Sequence, residues 1–347
     1  MSFISGIHLP AATAVRDNHG FYMKLPGGSE IESASRIVYE AMRPTLQHTW
    51  PLLNQRLGAE LWLKHENHTP VGSFKIRGGL TYFRHLRRSR EGITRVVTAT
   101  RGNHGQAVGF AARREGVEAI VYVPRGNSAS KNRAMRGMGV TLVEHGGDFE
   151  EARQEALRRA RQEDLHYVPS FHELLIAGVA TYSHELFSAV ADVDVAYVPI
   201  GLGSGICGMV AAREALGLKT EIVGVVSRHA PAYYDSFVER RPVEHPAETE
   251  IADGVACSVP EPDALDIIWR HVARVVMVTD DEIAAAMRIL FDDTHNAAEG
   301  AGAAALAAAL QEKRQLSGKR VAAVLSGGNI DRDVYSKVLA GADCGSE

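Results

Sequence analysis

The spacing of apolar positions along this chain changes near residue 90. Before it, apolar side chains recur at helical spacing over 31–42, ending before Pro44, and again over 74–88. A short strand at 61–64 lies between them. Residues 45–53 read as a connector, 65–71 as a polar loop, and the opening residues as an irregular lead. From Arg95 onward, short apolar runs alternate with amphipathic stretches. Strands are predicted at 96–98, 119–123 and 140–143, with helices at 106–115, 129–138 and from Gly146-Gly147-Asp148 to Glu163. This is the pattern of a compact parallel α/β unit, and it ends near Pro169. A second α/β series begins near Ile176, with strands at 194–200, 221–226, 275–278 and 320–325 and a helix at 209–216. Thr279 and Glu282 form a capping box for a further helix, and the alanine-rich run 301–310 reads as a packed core helix. Residues 228–262, rich in proline, histidine and charge, read as loop and short helix. The expected fold is α/β with two open parallel-sheet lobes. The large lobe is discontinuous, 1–90 and 170–347, and 91–169 is inserted as the small one. The cleft between them is where a ligand site is expected.

Composition narrows the function. The chain has 347 residues, 45% of them hydrophobic, enough for one large domain or two ordinary ones. Its net charge, 38 − 42 = −4, offers no basic field for nucleic acid or an anionic membrane. The cluster Arg84, Arg87, Arg88 and Arg90 reads as a solvated helix face. Cys207, Cys257 and Cys344 are odd in number and far apart, so they make neither a disulfide framework nor a zinc pattern. A reducing, cytoplasmic setting is expected. The first residues carry Arg16 and Asp17 and no apolar run of signal length, and no apolar stretch approaches membrane-spanning length.

Four loops carry candidate chemistry. In GSFKIRGG, 72–79, Lys75 stands between Phe74 and Ile76. Apolar company desolvates an ammonium group and lowers its pKa, and a neutral lysine attacks an aldehyde to form a Schiff base. The competing reading is a helix-start lysine whose stem packs on the core while its head reaches water. In GLGSGICG, 201–208, glycines between a strand and a helix let backbone amides approach an anion, and Ser204 adds a hydroxyl. The same segment holds a G-x-G-x-x-G at 203–208. A dinucleotide site would need an acid at the end of the next strand, whereas Glu221 begins that strand and Ser227 ends it. In TRGNHGQ, 100–106, Asn103 can donate to a ring oxygen, and His104 is either a base or a structural histidine. In SGGN, 326–329, the Ser326 hydroxyl can bond a heterocyclic nitrogen, or the segment is simply a turn.

The segments GSFKIRG, GNHGQA, GLGSGICG, Ile251-Ala252-Asp253-Gly254 and SGGN occur together and in this order. On them the chain resembles the fold-type II pyridoxal-phosphate enzymes, whose fold is tryptophan synthase beta-like. It resembles in particular the threonine/serine dehydratase and serine racemase family, from about Thr45 to Asn329. The resemblance implies pyridoxal 5'-phosphate as cofactor, held by Lys75 through a Schiff base. Phe74 would pack beside its ring, and Asn103 would bond the ring hydroxyl. Gly201, Gly203, Ser204 and Gly205 would cradle the phosphate, and Ser326 would face the pyridine nitrogen. Ser73 and the loop of Thr100, Arg101 and His104 would border the substrate carboxylate. Lys75, freed by the substrate, would remove the α-proton. The β-hydroxyl would then leave as water, and the enamine would hydrolyse to a 2-oxo acid and ammonia.

Departures from the family matter. Arg101 stands where serine racemases carry a serine that acts as acid and base, and where many threonine dehydratases carry alanine. A guanidinium's pKa is too high to shuttle protons, so racemisation is not expected. Bidentate carboxylate binding makes 3-hydroxyaspartate a candidate substrate. The plainer reading has Arg101 turned outward onto a neighbouring acid. Relatives often bind a divalent cation through an acid at the end of the strand after the glycine loop. Here that strand ends Val226-Ser227-Arg228, so no metal is expected. Glu299 matches a glutamate the family places near the ring. Feedback control through a C-terminal regulatory domain is not expected, because the chain stops soon after SGGN. The expectation is a pyridoxal-phosphate-dependent ammonia-lyase acting on a threonine- or serine-type β-hydroxy amino acid, as a homodimer by resemblance. The rival from another class is an NAD-dependent oxidoreductase resting on 203–208, which leaves Lys75 and Asn103 without roles.

Overall fold

The computed structural model describes residues 23–90 and 92–341; most of the irregular lead, with Arg16 and Asp17, and Cys344 lie outside them. The strands are β1 Gln47–Thr49, β2 Glu60–His65, β3 Arg95–Ala99, β4 Glu118–Val123, β5 Thr141–Glu144, β6 His166–Tyr167, β7 Val195–Pro199, β8 Glu221–Ser227, β9 Arg274–Val278 and β10 Arg320–Leu325. They form a six-stranded sheet, β1-β2-β10-β7-β8-β9, and a four-stranded sheet, β5-β4-β3-β6. All the pairings are parallel except β1 on β2. Parallel strands are covered on both faces and so read as unbroken apolar runs. Thus β7, Val-Ala-Tyr-Val-Pro, is buried throughout, and β10 is buried after its first residue.

Parallel order sends the chain out at the same edge each time. The lysine segment follows β2, the 100–104 loop follows β3, the glycine loop follows β7 and the serine loop follows β10. Backbone bonds then join two of these exits. Phe74 N donates to Ser326 O at 3.1 Å, and Gly328 N donates to Gly72 O at 2.9 Å. The helix Gly300–Gln311 is buried over nearly its whole length, and its small side chains let it lie close under the serine loop.

Several elements differ from the periodicity reading. The connector contains β1 and the helix Pro51–Leu57, which starts with proline, where a missing N–H costs nothing. Helices begin at Asn103 and Ser204, earlier than apolar spacing suggested. Glycine-rich segments that read as turn are in fact first helical turns, capped by Gly102 and Gly203. The helices Pro262–His271 and Arg332–Leu339 and the two-residue β6 were not expected; β6 exists through its ladder on β3.

Beneath the lysine segment lies a buried ionic cluster. Arg77 Nε and Nη2 donate to Glu66 at 2.7 and 2.9 Å, and its Nη1 and Nη2 donate to Glu185 at 2.6 and 2.9 Å. Lys64 Nζ donates to Glu185 at 2.6 Å and to Thr45 O at 2.7 Å. Burial works against the Glu185 carboxylate, but Arg77 and Lys64 outweigh it and hold its pKa below the usual range. Two carboxylates and two cations therefore balance. Removing one partner strands a buried charge, so Arg77→Met should cost about 3–5 kcal/mol in urea unfolding. A loss below about 1 kcal/mol, the scale of a surface pair, would mean that the cluster does not hold the fold.

Candidate active site

Lys75 opens the helix Lys75–Ser89. Its Nζ donates to Ser204 Oγ at 3.1 Å and lies 5.0 Å from the Phe74 ring centroid. Burial pulls its pKa down to about 8. A position at a helix N-terminus acts in the same direction, since cations are disfavoured there. The Phe74 ring is held edge-on by Tyr182, with centroids 6.0 Å apart. The lysine that sequence placed in a partly dry pocket thus sits at the mouth of the glycine loop.

That loop is fixed from behind. Gly203 has φ +100°, and a side chain there would meet the Ala264 Cβ at 2.5 Å. Tyr182 Oη donates to Gly205 O at 3.2 Å, and Tyr233 Oη donates to Leu202 O at 3.1 Å. The helix Ser204–Ala215 then leaves its first amides without intrahelical acceptors, a ready anion site. Gly201 closes against the backbone of Gly254.

The 100–104 loop faces Lys75 from the small sheet. Thr100 Oγ1 accepts from the Gly102 amide at 2.9 Å and the Gly105 amide at 3.4 Å, so it shapes the loop. Asn103 Nδ2 donates to Glu299 Oε1 at 2.6 Å, and its Oδ1 accepts from Asn329 Nδ2 at 2.9 Å. His104 is buried, and burial first, with the charge of Lys75 second, lowers its pKa to about 3. It is a neutral imidazole at physiological pH. Arg101 is exposed and makes no hydrogen bond or ion pair with a described residue, so the outward pairing with an acid is not found. Ser326 Oγ makes one long bond, 3.4 Å, to Ala301 O.

Sequence reasoning assigned no role to Lys131 or Asp253, which pair at 2.6 Å beside Glu299. Lys131 stands in a helix, Ala129–Gly137, whose polar composition suggests a solvated face; only the approach of the other lobe buries it.

The donor set can be tested against a ligand. Among the described residues, Ser73 Oγ and His104 Nε2, both close to Lys75, are buried without a hydrogen-bond partner. Buried polar groups are normally satisfied, so orphans around a lysine mark the place of a polar ligand. Pyridoxal phosphate fits: an aldehyde for Lys75, an aromatic ring for Phe74, Asn103 and Ser326, and a phosphate for the 201–205 loop. Two parallel-sheet lobes with these loops at their strand ends define a fold-type II pyridoxal-phosphate enzyme.

Comparison with known proteins agrees. The family model described as pyridoxal-phosphate dependent enzyme matches residues 38–327, and the chain belongs to that family, with pyridoxal phosphate as its cofactor. It is 33% identical to the L-threonine ammonia-lyase of Thermotoga maritima, over 89% of this chain and 77% of that protein. It also matches biosynthetic L-threonine dehydratases, of whose length it spans 58–60%. Among solved structures it is similar to the processed threonine deaminase isoform 2 of Solanum lycopersicum. That match has a TM-score of 0.81 and 28% identity over 95% of this chain and 99% of the other. It is also similar to a pyridoxal 5'-phosphate-dependent aspartate racemase, with a TM-score of 0.83 and 26% identity over 88% and 97%.

The lowered pKa of Lys75 has a kinetic consequence. The amine must be neutral to attack an aldehyde, so the neutral fraction grows about tenfold per pH unit below its pKa and saturates above it. Formation of the visible band from apoprotein and pyridoxal phosphate should accelerate up to about pH 8 and then level off. A rate still climbing at about pH 10 would return Lys75 to an ordinary lysine pKa.

Proposed function

We propose that this enzyme removes water from a β-hydroxy amino acid of the threonine or serine type, releasing a 2-oxo acid and ammonia. The observation that carries this reading is the Lys75 amine, desolvated and 3.1 Å from Ser204 at the glycine loop. Bound pyridoxal phosphate supplies an electron sink for the substrate's α-carbon. Lys75, neutral above about pH 8, takes the α-proton. Gly201, Gly203, Ser204 and Gly205 hold the phosphate, and Asn103 and Ser326 hold the ring. Ser73, Thr100 and His104 border the substrate carboxylate, with Ser73 Oγ free to donate to it. In this reading 91–169 is the small lobe, 1–90 with 170–347 the large one, and the working form is a cytoplasmic homodimer. The names of the relatives support the substrate class: L-threonine ammonia-lyase and threonine deaminase.

A second reading rests on Arg101, an exposed guanidinium without a partner among the described residues, two residues from Asn103. It would bind a side-chain carboxylate, making 3-hydroxyaspartate the substrate, and the likeness to an aspartate racemase favours an acidic ligand.

Release of 2-oxo acid from threonine, serine and 3-hydroxyaspartate by the reconstituted enzyme decides between the readings. Preference for threonine or serine supports the first. Preference for hydroxyaspartate supports the second, and Arg101→Ala should then lose at least about tenfold more hydroxyaspartate than threonine turnover, the worth of one charge-assisted bond. Equal losses would remove Arg101 from substrate recognition. No product from any of the three would overturn the dehydratase reading.

A further inference from the structure

Lys131 belongs to the helix Ala129–Gly137 of the four-stranded-sheet unit, yet its ammonium group ends among residues of the other unit. Its Nζ lies 2.6 Å from Asp253 Oδ2 and 3.5 Å from Glu299 Oε2, and the side chain is only 7% exposed. Burial alone would lower its pKa, but Glu299 and Asp253 outweigh burial and raise it, so Lys131 stays charged. The stem packs on Gly102, where a Cβ would collide with Lys131 Cδ. The same helix start is tied down a second time, by Ser130 N donating to Asp331 Oδ1 at 3.1 Å.

Glu299 is the other end of this contact. It stands at the N-cap position of the helix Gly300–Gln311, with its side chain turned away from the helix amides, and is 3% exposed. Burial raises its pKa to about 7 even with Lys131 beside it, so near neutrality the ammonium group is what favours the ionised form. Its Oε1 accepts from Asn103 Nδ2 at 2.6 Å. In the ionised form that Lys131 favours, the carboxylate only accepts, and the amide nitrogen of Asn103 faces it. The amide oxygen is then left to Asn329 Nδ2, itself anchored to Val71 O at 2.8 Å. With both ends fixed, Asn103 keeps one uncommitted N–H, the one available to the cofactor ring.

We infer that Lys131 is a positioning residue for the cofactor: by pairing with Glu299 across the cleft it fixes the Asn103 amide in the one orientation that presents a donor to the ring. This rests on the reading of Asn103 as the ring-hydroxyl partner. Lys131 touches neither cofactor nor substrate and acts through Glu299 and Asn103. It also makes ring orientation conditional on the two sheet units being together, because the lysine comes from one and its acids from the other.

The test is a double-mutant cycle on reconstituted protein, read as the dissociation constant of pyridoxal phosphate and the position of its visible band. Lys131→Met should weaken cofactor binding about tenfold and shift the band, and Lys131→Arg should recover most of both. In an Asn103→Ala background, Lys131→Met should change the dissociation constant less than about twofold, because the group it acts through is gone. An undiminished effect in that background would overturn the inference and make Lys131 a purely structural tie. So would an unchanged band and affinity in the single variant. Far-ultraviolet dichroism and melting temperature establish that each variant is folded; if Lys131→Met does not fold, the cycle is run with Lys131→Arg and Glu299→Gln against Asn103→Ala. Asn103→Ala that leaves wild-type affinity and band intact would overturn the Asn103 assignment itself, and a wild type without a Lys75-dependent band would overturn the site assignment.

Discussion

The interaction everything else leans on is the grip of Arg77 on Glu66 and Glu185. Its guanidinium binds one carboxylate from the segment after β2 and one from the helix Glu173–Ala189, all three nearly or fully buried. Geometry of that kind suits a planar fork of donors; a lysine would not span both acids. It matters for function because Arg77 lies two residues after Lys75 on the same helix. Rotating or sliding that helix would break several charge-assisted bonds at once. The Lys75 Nζ is therefore set against Ser204 by an ionic cluster that never meets the ligand. The cluster stabilises chiefly by position: buried ion pairs gain little over apolar packing, and lose much when half removed.

The second constraint is the meeting of two sheets. Each supplies loops at the C-terminal ends of parallel strands, which is where such sheets bind ligands. The large sheet contributes the lysine, glycine and serine loops, and the small sheet the 100–104 loop. Polar contacts then cross between them: Asn103 to Glu299 and Asn329, Lys131 to Asp253, and the Ser130 amide to Asp331. Apolar packing joins the units as well: Ile76, Leu80 and Phe83 of the lysine helix share one buried cluster with Val96, Val108 and Met135 of the small-sheet unit.

How much of this was legible in the sequence depends on the length scale of the signal. Buried parallel strands announce themselves as apolar runs, so nearly all of the sheet strands were found; β1, with its half-exposed Gln47–Thr49, and β6, two residues long, carried no pattern to find. Helix starts within glycine-rich segments were placed late, because glycine lowers local helix propensity while tertiary packing supplies what propensity lacks. Of the site, the loops were readable because lysine between apolar neighbours and glycines between strand and helix are local patterns. Lys131 was not: in sequence it is one cation on a polar helix. Its partners Asp253 and Glu299 lie more than a hundred positions away, where no spacing rule reaches. Loops that are individually weak signals gain joint meaning from the family likeness, and the fold brings them within bonding distance of one another.

The same distances bear on which reaction the site favours. Racemisation needs a second acid or base on the substrate face away from Lys75. The 100–104 loop is the segment placed to supply one, and its candidates are each disqualified by a different physical cause. The Thr100 hydroxyl is occupied by the amides of Gly102 and Gly105. A guanidinium is a carboxylate binder rather than a proton shuttle, which removes Arg101. His104, with its pKa pulled down to about 3 by burial and by Lys75, is too weak a base and is not protonated to act as an acid. If Lys75 takes the α-proton, as proposed, this loop would offer no partner group to replace it from the other side. With that return path closed, loss of a β-substituent rather than racemisation would be the outcome these residues favour.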